Sequence, residues 1–163
     1  MEIATFAAGC FWGVQAAFDK IPGVVETTVG YMGGKTKNPT YKQVCTDTTG
    51  HAEAIQIRYD PGIISYEKLL TTFWDNHDPT QINRQGVDVG SQYRSVIFYQ
   101  NDEQRRIAEE SKTNQQSEFD KKIATEIVQA VEFYPAEDYH QKYLEKQQKA
   151  GNKIKNNLFL SEM

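Results

Sequence analysis

The order of strands and helices along this 163-residue chain is the feature that most constrains its fold. Short or alternating apolar runs predict strands, and apolar residues at helical spacing predict helices. Strands are predicted at 2–8, 24–31, 53–59, 94–99 and 126–133, and helices at 11–20, 66–77, 102–117 and 136–148. The resulting β-α-β-β-α-β-α-β-α order predicts an α/β (α+β) fold, a two-layer α/β sandwich of ferredoxin-like character.

Long irregular segments are predicted at 32–52, 78–93 and 149–163. Ordered loops of this length are more often functional than mere connections. The helix at 136–148 is predicted because Pro135 precedes an apolar stripe that contains His140 and Tyr143. A chain of this length suits one domain, so we expect a single domain over 1–163, with 148–163 as a C-terminal tail.

Charge and cysteine content exclude several classes of protein. The net charge of −4 argues against a dedicated surface for nucleic acid or an anionic membrane, since both need clustered Lys and Arg. Two cysteines do not form a disulfide scaffold, and they fit a reducing compartment. The first apolar stretch lacks the cationic start of a signal peptide, and no run reaches transmembrane length. We therefore expect a cytoplasmic protein.

The stretch "GCFWG" places Cys10 between the end of a predicted strand and the start of a predicted helix. Unpaired backbone N–H groups and the helix dipole favour a thiolate there, so we expect a lowered pKa for Cys10. Gly9 allows a tight or left-handed turn beside it. Phe11 and Trp12 cannot share one helix face, so at least one is expected to be partly exposed. A buried, inert thiol is the alternative for Cys10.

The stretch "GHAEAIQIRYDP" contains a carboxyl on an apolar strand face. A period of two places Glu53 on the same face as Ile55 and Ile57. Burial disfavours the charged form, so the pKa of Glu53 should rise, and a neutral acid near pH 7 can donate a proton. The alternative is that Glu53 caps the strand and pairs with an arginine.

Two further stretches supply polar groups that are weak signals when taken alone. "QGVDVGSQYRS" contributes the acceptor Asp88 and the phenol of Tyr93, and "NPTYKQVC" contributes Tyr41 in a turn that begins at a proline. Either tyrosine could equally be a residue at the rim of the protein with a solvated hydroxyl.

Together these blocks resemble the motif set of the A-type peptide methionine sulfoxide reductases. "GCFWG", "GYMGG", "NPTYKQVC", "TGHAEA" and "QGVDVGSQYRS" follow one another in that order, and "FYPAEDYHQKYL" is similar to the family's C-terminal segment. The resemblance runs from Phe6 to Leu144 and implies a single catalytic domain. It gives a role to seven residues: Cys10 as nucleophile, Glu53 as acid, Phe11 and Trp12 as the apolar box for the substrate methyl group, and Tyr41, Asp88 and Tyr93 as groups that hold the sulfoxide oxygen.

The resemblance also implies the reaction and its partners. Methionine S-sulfoxide, free or in oxidised proteins, would be reduced to methionine, leaving Cys10 as a sulfenic acid that a second thiol must resolve. Residues 145–163 contain no cysteine, so Cys45 is the only internal candidate. We favour an inert, buried Cys45 and an external thiol reductant such as thioredoxin, glutaredoxin or glutathione. No bound cofactor is expected, and the protein is expected to be a monomer.

Three other classes of protein compete with a reductase. A cysteine hydrolase would pair Cys10 with His51, His77 or His140, but no hydrolase signature surrounds the cysteine. A metal-binding module is disfavoured because neither CxxC nor HxxxH spacing occurs, so no metal ligands are predicted. A binding module could use the pocket at Trp12 without catalysis.

Overall fold

Residues 1–151 are described by the structure, which is a computed structural model. Its strands are β1 (Glu2–Ala8), β2 (Val24–Met32), β3 (Ala52–Tyr59), β4 (Arg84–Gln85), β5 (Asp88–Val89), β6 (Ser95–Tyr99), β7 (Glu126–Gln129) and β8 (Tyr134–Pro135). Six of them form one sheet in the order β7-β6-β1-β3-β2-β8, and β4 and β5 form a separate hairpin.

The four longest strands confirm the predicted architecture. They lie in the order β6-β1-β3-β2, with β1 antiparallel to both β3 and β6, and β2 antiparallel to β3. This is the strand order of a ferredoxin-like sheet in which helices connect β1 to β2 and β3 to the next long strand. The loop from β1 into the first helix and the start of β3 therefore come together in the middle of the sheet.

The helices are α1 (Phe11–Asp19), α2 (Tyr41–Cys45), α3 (Tyr66–Asp75), α4 (Asp102–Gln115) and α5 (143–151). One face of the sheet packs against α1, α3 and α4 and contributes Phe6, Ile55 and Ile57 to the main core. The other face forms a smaller cluster that includes Ala54 and Phe98. Fully burying each large side chain contributes roughly 1.5–3 kcal/mol, which makes these two faces the main source of stability.

The predicted strand at 126–133 is wrong in its second half. Strand β7 ends at Gln129, and the chain then passes over the second face of the sheet, where Ala130 and Phe133 pack. It reaches the opposite edge as β8, which pairs with β2 at Gly30 and Tyr31. Glycine is required at position 30, because a Cβ there would lie 2.3 Å from the carbonyl oxygen of Tyr134.

The predicted helix at 136–148 is also wrong, because its first half is not helical. A single 3-10 turn covers Asp138–His140, Lys142 has a positive φ of 56°, and α5 begins only at residue 143. Tertiary contacts explain the break: Gln141 bonds both backbone groups of Val29, and the Lys142 ammonium lies 2.7 Å from Asp19. Of the predicted tail, 148–151 belong to α5 and 152–163 lie outside the described residues.

Two of the segments predicted to be irregular contain short elements. The loop at 32–52 includes α2, whose start is fixed by a capping box between Thr40 and Gln43. The loop at 78–93 includes the β4–β5 hairpin and a 3-10 turn, Ser91–Tyr93. Among the described residues, no helix is both long and apolar enough to span a membrane.

Candidate active site

Cys10 is half-buried at the N-terminus of α1, directly after the left-handed Gly9, whose φ is 91°. A side chain at position 9 would come within 2.8 Å of Gln85, so glycine lets the β4–β5 hairpin approach the cysteine loop. Gln85 in turn bonds both backbone groups of Asp78 at 2.9 Å, which fixes the hairpin in place. The loop geometry expected for Gly9 is confirmed.

The lowered pKa expected for Cys10 is wrong. Burial raises the pKa of the Cys10 thiol to about 11, and the charges of Glu53 and Asp88 add to the effect. The backbone N–H groups of Trp12 and Gly13 act in the expected direction and favour the thiolate, but burial outweighs them. Cys10 is therefore a neutral thiol at pH 7.

Glu53 lies next to Cys10 and behaves as predicted. It is 1% exposed on the helix-covered face of the sheet, and its Oε1 accepts a hydrogen bond from the Phe11 backbone N–H at 3.2 Å. Burial raises the pKa of Glu53 to about 8, which keeps the acid protonated at pH 7. Oε2 is buried with no hydrogen-bond partner among the described residues. The carboxyl bonds a backbone N–H rather than an arginine, so the alternative of an arginine pair is wrong.

Asp88, Tyr93 and Tyr41 gather around this pair. The charge of Asp88 raises the pKa of both Cys10 and Glu53, so its carboxylate lies within electrostatic range of each. Burial raises the pKa of Tyr93 to about 12, with further contributions from Glu53 and both cysteines. Burial also raises the pKa of Tyr41, followed by effects of Cys45 and Glu53. Both phenols therefore remain hydrogen-bond donors at neutral pH.

An aromatic cluster forms the other wall of the site. Phe11 is fully buried and Trp12 is half-buried, as expected for residues on different helix faces. The indole N–H of Trp12 donates to Nδ1 of the buried His140 at 2.9 Å, and the indole stacks on Tyr143 with ring centroids 3.9 Å apart. His140 also packs against Phe11 at 5.2 Å and against Tyr41 at 4.3 Å.

The contribution of His140 and Tyr143 to the site was missed from the sequence. The apolar stripe correctly indicates that His140 is buried, but it predicts that His140 lies in a helix that packs on the core. The sequence signal for this contribution is Trp12, because its indole N–H needs an acceptor when it is partly buried. A histidine and a tyrosine elsewhere in the chain are candidates for contact with that indole.

The interpretation of Cys45 as a buried thiol is wrong. Cys45 is exposed at the C-terminal end of α2, and both cysteines are free. It lies close enough to the site for its charge to contribute to the raised pKa values of Tyr41, Tyr93 and Tyr139. The structure thus brings Cys45 to the rim of the cluster, where its thiol is accessible to other molecules.

The remaining histidines have other partners. His51 is buried in the loop before β3, where its ring nitrogens bond Gly34 N at 3.0 Å and Thr36 O at 2.6 Å. His77 bonds the Phe73 carbonyl and the Ser95 hydroxyl, each at 2.7 Å. These bonds fix loops and strand ends, and give no support to a histidine base for a cysteine hydrolase. Within 1–151 there is no group of three or more His, Cys, Asp or Glu residues that could hold a metal ion.

Comparison with known proteins agrees with this geometry. Residues 2–163 match the family profile "Peptide methionine sulfoxide reductase". A protein of that name, MsrA from Methanothermobacter thermautotrophicus, is 58% identical over 147 residues, which cover 89% of this chain and 87% of the relative.

Solved structures of methionine sulfoxide reductases also superpose on this chain. Methionine sulfoxide reductase A of Corynebacterium diphtheriae superposes with a TM-score of 0.86 at 39% identity, covering 89% of this chain and 74% of that one. Mxr1 from Saccharomyces cerevisiae in complex with Trx2 superposes with a TM-score of 0.63 at 27% identity, covering 87% and 84% of the two chains. The fold and its relatives define an oxidoreductase that acts on methionine sulfoxide. The chain belongs to the peptide methionine sulfoxide reductase family and is similar to its A-type members.

Proposed function

We propose that the protein reduces methionine S-sulfoxide, free or in oxidised proteins, by direct transfer of the sulfoxide oxygen to Cys10, and that it thereby repairs oxidised proteins. The single observation that carries this proposal is the buried Glu53 carboxyl beside the thiol, with a pKa of about 8 and a free Oε2. A sulfoxide sulfur is a poor electrophile until its oxygen is protonated. A neutral acid and a thiol in one water-poor site supply both requirements.

The oxygen transfer balances without a cofactor. The Cys10 sulfur attacks the sulfoxide sulfur while Glu53 protonates the sulfoxide oxygen. The new bond between the two sulfurs and the S–O bond of the substrate then break as the hydroxyl moves to the Cys10 sulfur, which leaves Cys10 as a sulfenic acid and releases methionine. The methionine sulfur gains two electrons and the Cys10 sulfur loses two.

Proton transfer explains how a thiol with a raised pKa can act as the nucleophile. When Glu53 gives its proton to the sulfoxide, it becomes a carboxylate, which can accept the proton of the Cys10 thiol as the new bond forms. The N–H groups of Trp12 and Gly13 favour the negative charge that develops on sulfur. Asp88, Tyr41 and Tyr93 surround the oxygen during this step, and Phe11 and Trp12 contact the substrate methyl group.

An external thiol completes the cycle. It attacks the sulfenic sulfur, water leaves, and a mixed disulfide forms at Cys10, which a second thiol then reduces. The relative that was solved in complex with Trx2 supports a reductant of the thioredoxin class. The two free thiols support a reducing, cytoplasmic location. Because Cys45 is exposed, formation of an internal disulfide between Cys45 and Cys10 is the competing route.

The proposal is tested by incubating the protein with each epimer of methionine sulfoxide and with thioredoxin, glutaredoxin or glutathione, and then measuring methionine release. We expect release from the S epimer with at least one reductant, and none from Cys10→Ser. Release by the Cys10→Ser variant at the wild-type rate would refute the assigned nucleophile. Reduction of the R epimer alone would refute the assigned substrate.

A further inference from the structure

The carboxylate of Glu137 joins three separate parts of the molecule near the site. Its Oε1 accepts a hydrogen bond from the Tyr31 hydroxyl at 3.0 Å, and its Oε2 accepts from the Tyr41 backbone N–H at 3.1 Å and from the Tyr139 hydroxyl at 3.3 Å. Tyr31 lies on β2, Tyr41 begins α2, and Tyr139 belongs to the C-terminal segment. Nothing in the proposed chemistry uses Glu137 directly.

The segment that contains Glu137 is fixed to β2, and this holds Glu137 in place. The Ala136 backbone N–H donates to the Val29 carbonyl at 2.9 Å, and the Gln141 side chain bonds both backbone groups of Val29. Burial alone would raise the pKa of Glu137, but backbone N–H donors and the Tyr31 hydroxyl hold that pKa below its usual value. Glu137 is therefore a fixed carboxylate at neutral pH.

The bond to Tyr41 has a consequence for the site. The first N–H groups of a helix have no acceptor within the helix, and Glu137 supplies one for Tyr41, the first residue of α2. Because α2 is only five residues long, anchoring its first residue fixes its direction and the position of the Tyr41 side chain. That ring packs on His140, which in turn accepts the hydrogen bond of Trp12.

We propose that Glu137 is a positioning residue for the reduction, acting through Tyr41. It holds α2 so that the Tyr41 phenol stays at the place where the sulfoxide oxygen is bound. This inference rests on the proposed function, because it requires that Tyr41 contacts the substrate oxygen. Misplacing a catalytic group by about 1 Å can cost on the order of 100-fold in rate.

The test measures the single-turnover rate and the apparent KM for methionine S-sulfoxide. Glu137→Ala should slow the single-turnover rate about tenfold or more, with a smaller change in KM. Glu137→Gln should stay within about threefold of wild type, because its amide oxygen can accept from Tyr41 and Tyr139 while its amide nitrogen donates to the Tyr31 hydroxyl. Glu137→Asp keeps the charge but shortens the reach, and gives a second disruptive variant if the alanine variant does not fold.

A double-mutant comparison separates positioning from general destabilisation. In a Tyr41→Phe background, Glu137→Ala should slow the reaction by less than about twofold, because the group that it positions is gone. The matched control is Glu132→Ala, which removes an exposed carboxylate that accepts a hydrogen bond from the Tyr134 hydroxyl at 3.1 Å, and it should keep the wild-type rate.

The two hypotheses fail in different ways. A full effect of Glu137→Ala in the Tyr41→Phe background, a glutamine variant as slow as the alanine variant, or no effect of either disruptive variant would overturn the positioning role. Failure of the wild-type protein to reduce methionine S-sulfoxide would instead refute the proposed function.

Discussion

Replacing Glu53 with glutamine should make the protein more stable while it impairs the reaction. The carboxyl is 1% exposed, and its Oε1 bond to the Phe11 N–H can be kept by an amide oxygen. Glutamine has the same shape and never ionises, so the folding of the variant does not require the proton uptake that keeps the buried Glu53 neutral. Such a trade between stability and activity is expected at a site built to keep an acid neutral.

The magnitude follows from the shift in pKa. Burial raises the pKa of Glu53 from 4.5 to about 8, so the folded protein holds a proton that the unfolded chain loses. Because the pKa is raised on folding, the contribution of Glu53 to the free energy of unfolding is fully present below pH 4.5 and is lost as the pH rises toward 8. Each pH unit in that window changes the free energy of unfolding by about 1.36 kcal/mol, which amounts to about 3 kcal/mol at pH 7. For a chain of this size this corresponds to a difference in Tm of about 6–12 °C.

Urea unfolding of wild type and Glu53→Gln at pH 5, 6, 7 and 8 measures this difference. We expect the gap in free energy of unfolding to widen with pH and to favour the variant. The control is Glu26→Gln, in which the replaced carboxylate is exposed and pairs with Arg58, and which should differ from wild type by about 1 kcal/mol or less at every pH. A gap for Glu53→Gln that does not change with pH, or one that favours wild type, would refute the reasoning.

Three further predictions concern the reaction. The single-turnover rate should be constant below about pH 8 and fall above it as Glu53 loses its proton, and a rate that rises through pH 8 would contradict this. Glu53→Gln should slow the single-turnover rate roughly 10²–10⁴-fold at pH 7, and an unchanged rate in the variant would contradict the role of Glu53 as the acid. Trp12→Phe leaves Nδ1 of His140 without its donor, so KM for the sulfoxide should rise about tenfold, and a wild-type KM would argue against this contact. Because Cys45 is exposed, Cys45→Ser should change the free energy of unfolding by about 0.5 kcal/mol or less and sustain turnover with an external thiol; mass spectrometry that shows a Cys10–Cys45 bond, together with lost recycling in the variant, would contradict this.

The main strands and helices could be predicted because the apolar residues that form them recur with the period of a strand or of a helix. The alternation in β3 correctly separated Glu53, Ile55 and Ile57 from Ala54, since the two faces of the sheet belong to two different apolar clusters. The same alternation, combined with burial, predicted the raised pKa of Glu53 correctly in direction. The order of strands and helices was sufficient for the ferredoxin-like arrangement.

Features that depend on distant contacts could not be predicted from local patterns. The start of α1 indicates a lowered pKa for Cys10, but burial raises that pKa, and the charges of Glu53 on β3 and Asp88 on β5 add to the rise. Both charged groups are far away from Cys10 in sequence. The break between residues 140 and 143 depends on bonds to Val29 and Asp19, which no helical periodicity reveals. Cys45 is exposed at the end of the five-residue helix α2, and the capping box between Thr40 and Gln43 is the sequence signal for the start of that helix.

The central claim, transfer of the sulfoxide oxygen to Cys10, is tested most directly by intact-protein mass spectrometry after one equivalent of methionine S-sulfoxide is added without reductant. The Cys45→Ser variant is used, so that no internal thiol can remove the product. We expect one methionine released per protein and one added oxygen that a sulfenic-acid reagent places on Cys10. Release of methionine with no change at Cys10, or an oxygen located on another residue, would contradict the mechanism.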